Sequence, residues 1–305
     1  MALIERVILG TRPFTQIREK EIFSILEYFF SQGGQYVDTS YFYGYGKVEK
    51  IIGKFIKTYN PKILLISKIG YFNNLEDYKD INKINLAIER TCENLFFTPN
   101  YILLHEADWK IWWSKAGQLD QLIELDDFKN LNFELYYKFN EILDKLSILG
   151  GISGNNANII QKLLFLKPKI VLLSKQYDLL WKNAQPLIFD SMRSDFSLIL
   201  GAPFHQSWIL RLNELSKKNP QISKEIRQLN KIVSNHSYTL KHIALNFIVQ
   251  TTECKIAFGV ENKRELDENL RNLITLLPDN LIEELKKIRV FLPPLPGPLM
   301  IQRSI

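Results

Sequence analysis

Eight short apolar runs, each followed by a longer stretch of helical period, are what most narrows the fold of this chain. The runs fall at residues 6–11, 35–38, 63–68, 101–105, 148–153, 170–176, 198–202 and 255–259. Interiors such as Ile63-Leu64-Leu65-Ile66 and Ile170-Val171-Leu172-Leu173 are continuously apolar, as expected of strands covered on both faces. Between the runs, apolar residues recur three and four apart. Ile22, Ile25, Leu26 and Phe29 share one helical face, and Val48, Ile51, Ile52 and Phe55 share another. The same spacing links Ile84, Ala87, Ile88 and Leu95, then Phe139, Ile142, Leu143 and Leu146. Pro61, Pro99 and Pro168 each stand just ahead of a strand and stop the helix before it. Strands alternating with helices predict a parallel sheet with crossover helices. Eight of them predict an α/β fold closed as a (β/α)8 TIM barrel, not an open doubly wound sheet.

Two connections are longer than turns, at about residues 106–132 and 203–220. Both follow strand ends, so both are expected on the C-terminal face of the barrel, where barrel active sites are built. With 305 residues, 46% of them hydrophobic, the chain can bury one large core. We expect one domain over residues 1–305, with the barrel at about 6–275 and a C-terminal helix and proline-rich tail at about 279–305. That tail holds Pro293, Pro294, Pro296 and Pro298.

The net charge of +6 comes mostly from lysines scattered along helices. That pattern fits a solvated surface, and no nucleic-acid-binding motif accompanies it. Two cysteines, Cys92 and Cys254, provide neither a disulfide framework nor metal-ligand spacing. No apolar run reaches the roughly 18 residues of a membrane helix, and the first residues lack signal-peptide features. The expectation is a cytoplasmic protein that binds no metal, nucleic acid or membrane and is a monomer or a weak homo-oligomer.

The chemistry shows in what ends the strands. Asp38, Lys68, His105, Ser153 and Gln176 each close an apolar run. In a barrel, such side chains converge on one pocket. Singly, each has a structural explanation: Asp38 as a helix cap, Lys68 as a snorkelling side chain, His105 as a satisfied core histidine. Three ionisable groups ending three consecutive strands are harder to explain that way.

These residues carry a resemblance. Val37-Asp38-Thr39-Ser40-Tyr41-Phe42-Tyr43-Gly44, continued by Gly46, Glu49 and Gly53, resembles the aldo-keto reductase segment in which an aspartate and a catalytic tyrosine stand five apart. Leu65-Ile66-Ser67-Lys68 is similar to the strand bearing that family's catalytic lysine, and Tyr101-Ile102-Leu103-Leu104-His105 to the strand bearing its histidine. Gly151-Ile152-Ser153, Gln176-Tyr177-Asp178-Leu179-Leu180, Gly201-Ala202-Pro203-Phe204, Ala244-Leu245-Asn246-Phe247 and the stretch from Gly259 to Asn269 follow in the family's order.

The resemblance implies hydride transfer between a nicotinamide cofactor and a carbonyl or alcohol, with Asp38, Tyr43, Lys68 and His105 as the catalytic set. Tyr43 would be the general acid, its phenol starting near pKa ~10 and lowered by the Lys68 ammonium. Asp38 would hold Lys68, and His105 would orient the substrate oxygen. It also implies a cofactor site from Thr11, Asp38, Ser153, Gln176, Gly201, Pro203, Gly259, Lys263, Arg264, Glu265, Glu268 and Asn269. No strand is followed by G-x-G-x-x-G, which disfavours a Rossmann dehydrogenase.

Three positions depart from the family's common choices. Gly154 stands where asparagine is frequent, Gly201 where an aromatic often stacks on the nicotinamide, and Glu265 where NADP-users carry Gln or Arg. Family habit, with Lys263 and Arg264, points to NADP(H), slightly favoured here. The Glu265 carboxylate points to NAD(H). Gly201-Ala202-Pro203-Phe204 also resembles the sugar-oxidising branch, which suggests a sugar or a related small carbonyl. Phe42, Trp109, Trp112, Trp113, Phe204 and Trp208 are the expected pocket walls. The competing readings are a cofactor-binding regulatory or structural subunit with little turnover and a non-redox lyase or isomerase on the same fold.

Overall fold

The computed structural model describes residues 3–115, 117–119 and 121–291. Eight parallel strands close into a barrel in chain order: β1 (Val7–Gly10), β2 (Tyr36–Asp38), β3 (Leu64–Ile69), β4 (Tyr101–Leu104), β5 (Leu149–Gly154), β6 (Ile170–Ser174), β7 (Ser197–Gly201) and β8 (Lys255–Gly259). The seam lies between the first and last strands, where Ile8 stands beside Ala257 and Leu9 beside Phe258. The helices are α1 (Glu19–Ser31), α2 (Lys47–Tyr59), α3 (Ile81–Leu95), α4 (Glu134–Lys145), α5 (Ala157–Leu163), α6 (Gln185–Ser191), α7 (Leu212–Lys218), α8 (Ser223–Ser234), α9 (Leu240–Thr251), α10 (Lys263–Ile274) and α11 (Asp279–Lys286). The fold is the (β/α)8 barrel that the pattern predicts.

Strand alternation sorts the core into two parts. Inward residues Ile8, Ile66, Leu103, Ile170, Leu172, Ile199 and Ala257 fill the barrel, with Tyr36 and Tyr101 packed against them. Outward residues such as Leu9, Val37, Leu65 and Leu104 meet the helices in a larger cluster. The expected faces are those buried: α1 turns in Ile22, Ile25, Leu26 and Phe29, and α2 turns in Val48, Ile51, Ile52 and Phe55. Leu146 departs from its predicted face, because α4 ends one residue earlier and leaves it exposed. Where α2 crosses α3, a Cβ on Gly53 would come within 2.6 Å of the backbone of Asn94 and Leu95. Only glycine allows that approach.

This crossing buries Glu49 completely. Its carboxylate accepts from Ser67 Oγ at 2.9 Å and from Asn94 Nδ2 at 3.0 Å. Burial pushes its pKa up to about 7 despite those bonds.

The N-terminal end of the barrel is filled from within. Leu3 and Ile4 pack on the outer cluster, not on the barrel interior. Tyr36 and Tyr101 fill that end from inside, and the Lys255 ammonium lies 4.9 Å from the centre of the Tyr36 ring. Arg6 fixes the seam. Its guanidinium donates to the carbonyls of Val249 at 2.9 Å, Thr252 at 2.6 Å and Cys254 at 3.0 Å.

The described residues of the two long connections include short helical turns. The first holds short 3-10 turns at Lys110–Trp112 and Leu125–Asn130, and the second holds a 3-10 turn at Ile209–Arg211 followed by α7. Helix α11 follows the barrel, and the Val290 N–H reaches the Leu180 carbonyl at 2.8 Å. The tail prolines from Pro293 onward lie outside the described residues.

Candidate active site

Asp38 ends β2, Lys68 lies near the end of β3, and His105 follows β4 directly. All three are buried inward residues. Tyr43 comes from the turn between β2 and α2. Lys68 Nζ joins the group, donating to Asp38 Oδ1 at 2.6 Å, to the Thr39 carbonyl at 2.9 Å and to the Tyr43 hydroxyl at 3.4 Å. The His105 ring centre lies 6.3 Å from that of Tyr43, with the planes nearly perpendicular.

Thr11 supports this arrangement from the first strand's end. Its N–H and hydroxyl both donate to the Asp38 carbonyl, at 2.9 and 3.0 Å. Ser40 supports His105. Its Oγ accepts from the Phe42 N–H at 3.2 Å and lies 3.3 Å from both the Lys68 carbonyl and His105 Nδ1.

Electrostatics follow from burial. Burial pulls the Lys68 pKa down, but the Asp38 carboxylate, with Tyr43 adding to it, raises it above its ordinary value. Burial also raises the Asp38 carboxyl, against the downward pull of Lys68, and the 2.6 Å contact joins the two as a buried pair. The Tyr43 phenol differs from expectation: it is held above its ordinary value. Burial pushes it up and Asp38 adds to that, outweighing the downward pull of Lys68 and Arg12.

The group opens into a cavity of about 280 Å³ on the C-terminal face. Asp38, Tyr43, Lys68, His105, Ser153, Gly201, Pro203, Gly259, Glu265, Phe42 and Phe204 all line it. Other expected residues lie elsewhere. Gln176 donates to the Asn155 carbonyl and accepts from the Ala157 N–H, so it braces a loop. Trp112 Nε1 donates to the His105 carbonyl at 2.9 Å and Trp113 Nε1 to the Ala107 carbonyl at 2.7 Å. Both rings are buried beneath the first long connection. Trp109 packs edge-on against Tyr71, and Trp208 lies under Arg211 and Lys218. Lys263 folds over the Tyr28 ring at 4.9 Å, Arg264 is exposed, and Glu268 pairs with Lys241 at 3.1 Å.

Sequence reading passed over Arg12, Tyr71, Glu106, Asn155, Ser174 and Lys175, which line the cavity. Ser174 was within reach, because Ile170, Leu172 and Ser174 alternate inward. Glu106 and Lys175 were not. Each follows an inward residue and should point outward, but their φ values of 55° and 61° break the alternation. Consecutive residues (His105 and Glu106, Ser174 and Lys175) therefore both line the cavity.

Gly154 has a local reason. A Cβ there would stand 2.8 Å from Asp108 Cγ, behind the cavity wall. Asp108 itself accepts from the Asn155 N–H at 2.7 Å, and burial with the Glu106 charge pushes it up to about 7.

Residues 6–290 match the Aldo/keto reductase family, nearly the whole chain. This chain belongs to the aldo/keto reductase family.

Two curated proteins match over part of the chain. A segment of 81 residues is 40% identical to an aldo-keto reductase of Gibberella moniliformis and covers 25% of each chain. A segment of 124 residues is 34% identical to norsolorinic acid reductase B of Dothistroma septosporum, covering 36% of this chain and 30% of that protein. The matches thus span a third or less of these curated relatives. Among solved structures, an aldo-keto reductase of Bacillus halodurans has a TM-score of 0.70 at 17% identity, with 93% and 91% of the two chains covered. The glycerol dehydrogenase of Gluconobacter oxydans has a TM-score of 0.69 at 13% identity, with 93% and 90% covered. These likenesses concern the fold.

This family member also has features that fit a dinucleotide. Asn269 on α10 is fully buried, and neither its amide nitrogen nor its oxygen has a hydrogen-bond partner among the described residues. Unpaired buried polar groups of that kind need an explanation, and a group bound beside them is one. Gly201 keeps the cavity wall open, since a Cβ there would meet Ser174 Oγ at 3.0 Å. Among the described residues, no group of three or more His, Cys, Asp or Glu is placed to hold a metal, and no helix is long and apolar enough to cross a membrane.

Proposed function

We propose that the protein is a nicotinamide-dependent oxidoreductase acting on a small carbonyl or alcohol, with Tyr43 as general acid and base. The observation that carries this reading is Lys68 Nζ, held by Asp38 and reaching the Tyr43 hydroxyl in the cavity wall. The cofactor, when bound, supplies or takes up the hydride. In reduction, the carbonyl carbon gains hydride and its oxygen takes the Tyr43 proton, giving the alcohol. The raised phenol pKa keeps that proton in place at neutral pH. As it leaves, the neighbouring ammonium stabilises the phenolate. His105, on the same wall, orients the substrate oxygen. In oxidation Tyr43 accepts the proton.

For the cofactor, Ser153, Ser174, Asn155 and the space beside Gly201 would hold the nicotinamide end, and Asn269 the adenine. The Glu265 carboxylate lines the cavity and accepts from the Glu261 N–H at 2.9 Å, while Lys263 is turned onto Tyr28. That supports NAD(H) over the NADP(H) that family habit favours, because a carboxylate repels a 2′-phosphate.

The test is reduced-nicotinamide absorbance with a panel of aldehydes, ketones and sugars, wild type against Tyr43→Phe. We expect turnover by the wild type and a loss of about 10²–10⁴-fold in the variant. Equal turnover by both would remove Tyr43 from its role. Quenching of tryptophan fluorescence by NADH and NADPH, titrated separately, decides the cofactor.

A further inference from the structure

The connection after β7 bounds the cavity with a backbone that few side chains adopt. Ala202, His205, Gln206 and Ser207 take left-handed φ values of 59°, 48°, 53° and 74°. Such a conformation is retained where the surroundings enforce it. Ala202, Pro203, Phe204, Gln206 and Ser207 line the cavity, whereas His205 stands outside that lining and is fully buried. After Ala202, backbone bonds run within the segment. The His205 N–H donates to the Ala202 carbonyl at 2.8 Å, the Ile209 N–H to that of Phe204 at 3.2 Å and the Leu210 N–H to that of Ser207 at 3.1 Å. Bonds of that kind fix the segment's shape but not its place on the barrel.

His205 supplies the place. Its Nδ1 lies 2.9 Å from Asp178 Oδ2, with both side chains wholly buried, and its ring stacks on Trp181, centres 4.3 Å apart. Asp178 belongs to the connection between β6 and α6 and is itself fixed. Its Oδ1 accepts from the Leu180 N–H at 2.8 Å and the Trp181 N–H at 3.0 Å. The Lys182 ammonium braces the same turn, donating to the Asp178 carbonyl at 3.2 Å and the Leu179 carbonyl at 2.8 Å. We propose that His205 is a positioning residue: its bond to Asp178 anchors residues 202–207 and so sets the cavity wall against which the cofactor binds. This rests on the oxidoreductase reading above. Both groups are out of reach of water, so a lost partner is not replaced. Without the bond, the left-handed residues lose a restraint and relax toward ordinary φ values. The segment begins beside Gly201, next to the proposed nicotinamide end, whereas Tyr43 and Lys68 come from the ends of β2 and β3. Cofactor binding therefore feels the displacement more than the proton transfer does.

The test compares wild type with two variants. His205→Phe keeps a ring beside Trp181 but loses the bond, and His205→Asn has an amide that can still donate to Asp178. Hydrogen exchange of the full chain, without nucleotide, reads the anchor directly. Amides of residues 205–210 should exchange about tenfold faster in His205→Phe and within about threefold of wild type in His205→Asn, with the amides of α2 and α3 unchanged. NADH and NADPH are then titrated separately by tryptophan quenching, and their release is followed by stopped flow. His205→Phe should bind the preferred nucleotide about tenfold more weakly, through faster release, and His205→Asn within about threefold of wild type. Should His205→Phe not fold, Asp178→Asn carries the same expectation, because it keeps the acceptor for Leu180 and Trp181 and changes the oxygen facing His205. Unchanged exchange at residues 205–210 overturns the anchor. Faster exchange spread equally over the barrel, or losses in His205→Asn equal to those in His205→Phe, would make His205 a packing residue. Faster exchange confined to the segment with unchanged nucleotide affinity overturns the positioning role. If neither nucleotide binds the wild type, yet His205→Phe frees the segment, the oxidoreductase reading fails and the anchor stands.

Discussion

The Asp38–Lys68 pair tests whether electrostatics or packing holds the centre together. The two charges are 2.6 Å apart, and their side chains are only 8% and 2% exposed. Removing one partner strands the other charge where water cannot reach it, which typically costs about 3–5 kcal/mol. Asp38→Asn and Lys68→Met should each lower stability by that amount, read as the midpoint of urea unfolding followed by tryptophan fluorescence. The double variant removes both charges at once. Replacing a whole buried pair by neutral groups is nearly neutral, so it should lose only about 1–2 kcal/mol. The coupling energy would then be several kcal/mol, far above the roughly 0.5 kcal/mol within which independent sites add. Turnover gives the contrast. Lys68→Met and the double variant both lack the ammonium beside Tyr43, so both should fall by more than about a hundredfold. A double variant that recovers stability without recovering turnover separates fold from chemistry. If the single losses simply add, the pair is not held by its charges, and the account of Lys68 fails.

Two further outcomes follow from residues near that pair. Glu49 has a folded pKa of about 7 against an ordinary 4.5, so the folded chain binds its proton more tightly than the unfolded chain does. Its contribution is therefore present in full below pH 4.5 and lost as pH rises to 7, a loss of about 3 kcal/mol. Glu49→Gln should flatten that slope in urea unfolding at pH 5 and pH 8, and an unchanged slope would refute the assignment. Ser40 Oγ lies 3.3 Å from both the Lys68 carbonyl and His105 Nδ1, so its single proton decides which tautomer His105 adopts. Ser40→Ala should shift the ¹⁵N resonances of one of the four histidines and lower kcat about tenfold with little change in KM. Unchanged histidine resonances would count against this role.

The barrel was readable because strands covered on both faces leave uninterrupted apolar runs, and eight of them admit few closures. The strand ends were readable where the period of two held, as at Asp38, Lys68, His105 and Ser153. It failed where the backbone left the strand. Gln176 lies past the left-handed residue Lys175, so the inward position belongs to Ser174 two residues earlier, and Gln176 turns to a loop. Aromatic size misled in the first long connection. Trp112 and Trp113 suit pocket walls, yet their indole N–H groups find backbone carbonyls beneath the loop, and the rings follow them inside. Glu106 has no sequence signal of its own, because only its φ distinguishes it from an outward residue. Gly154 was visible as an oddity, but its cause, Asp108, lies 46 residues away in the chain.

The barrel's seam has a consequence for how the protein is made. Asp38, Tyr43, Lys68 and His105 all lie within the first 105 residues of the chain, while the second partner of β1, after β2, is the strand ending at Gly259. Arg6 likewise waits for carbonyls 243 to 248 residues away. A ribosome that has released residue 110 has therefore delivered every tetrad residue, yet β1 still presents one bare edge of peptide groups. Contacts that distant in sequence form late, and until they do that edge is a template for strands of other chains. The interval between those residues and the seam, about 150 residues of translation, is when that edge is most open to mispairing.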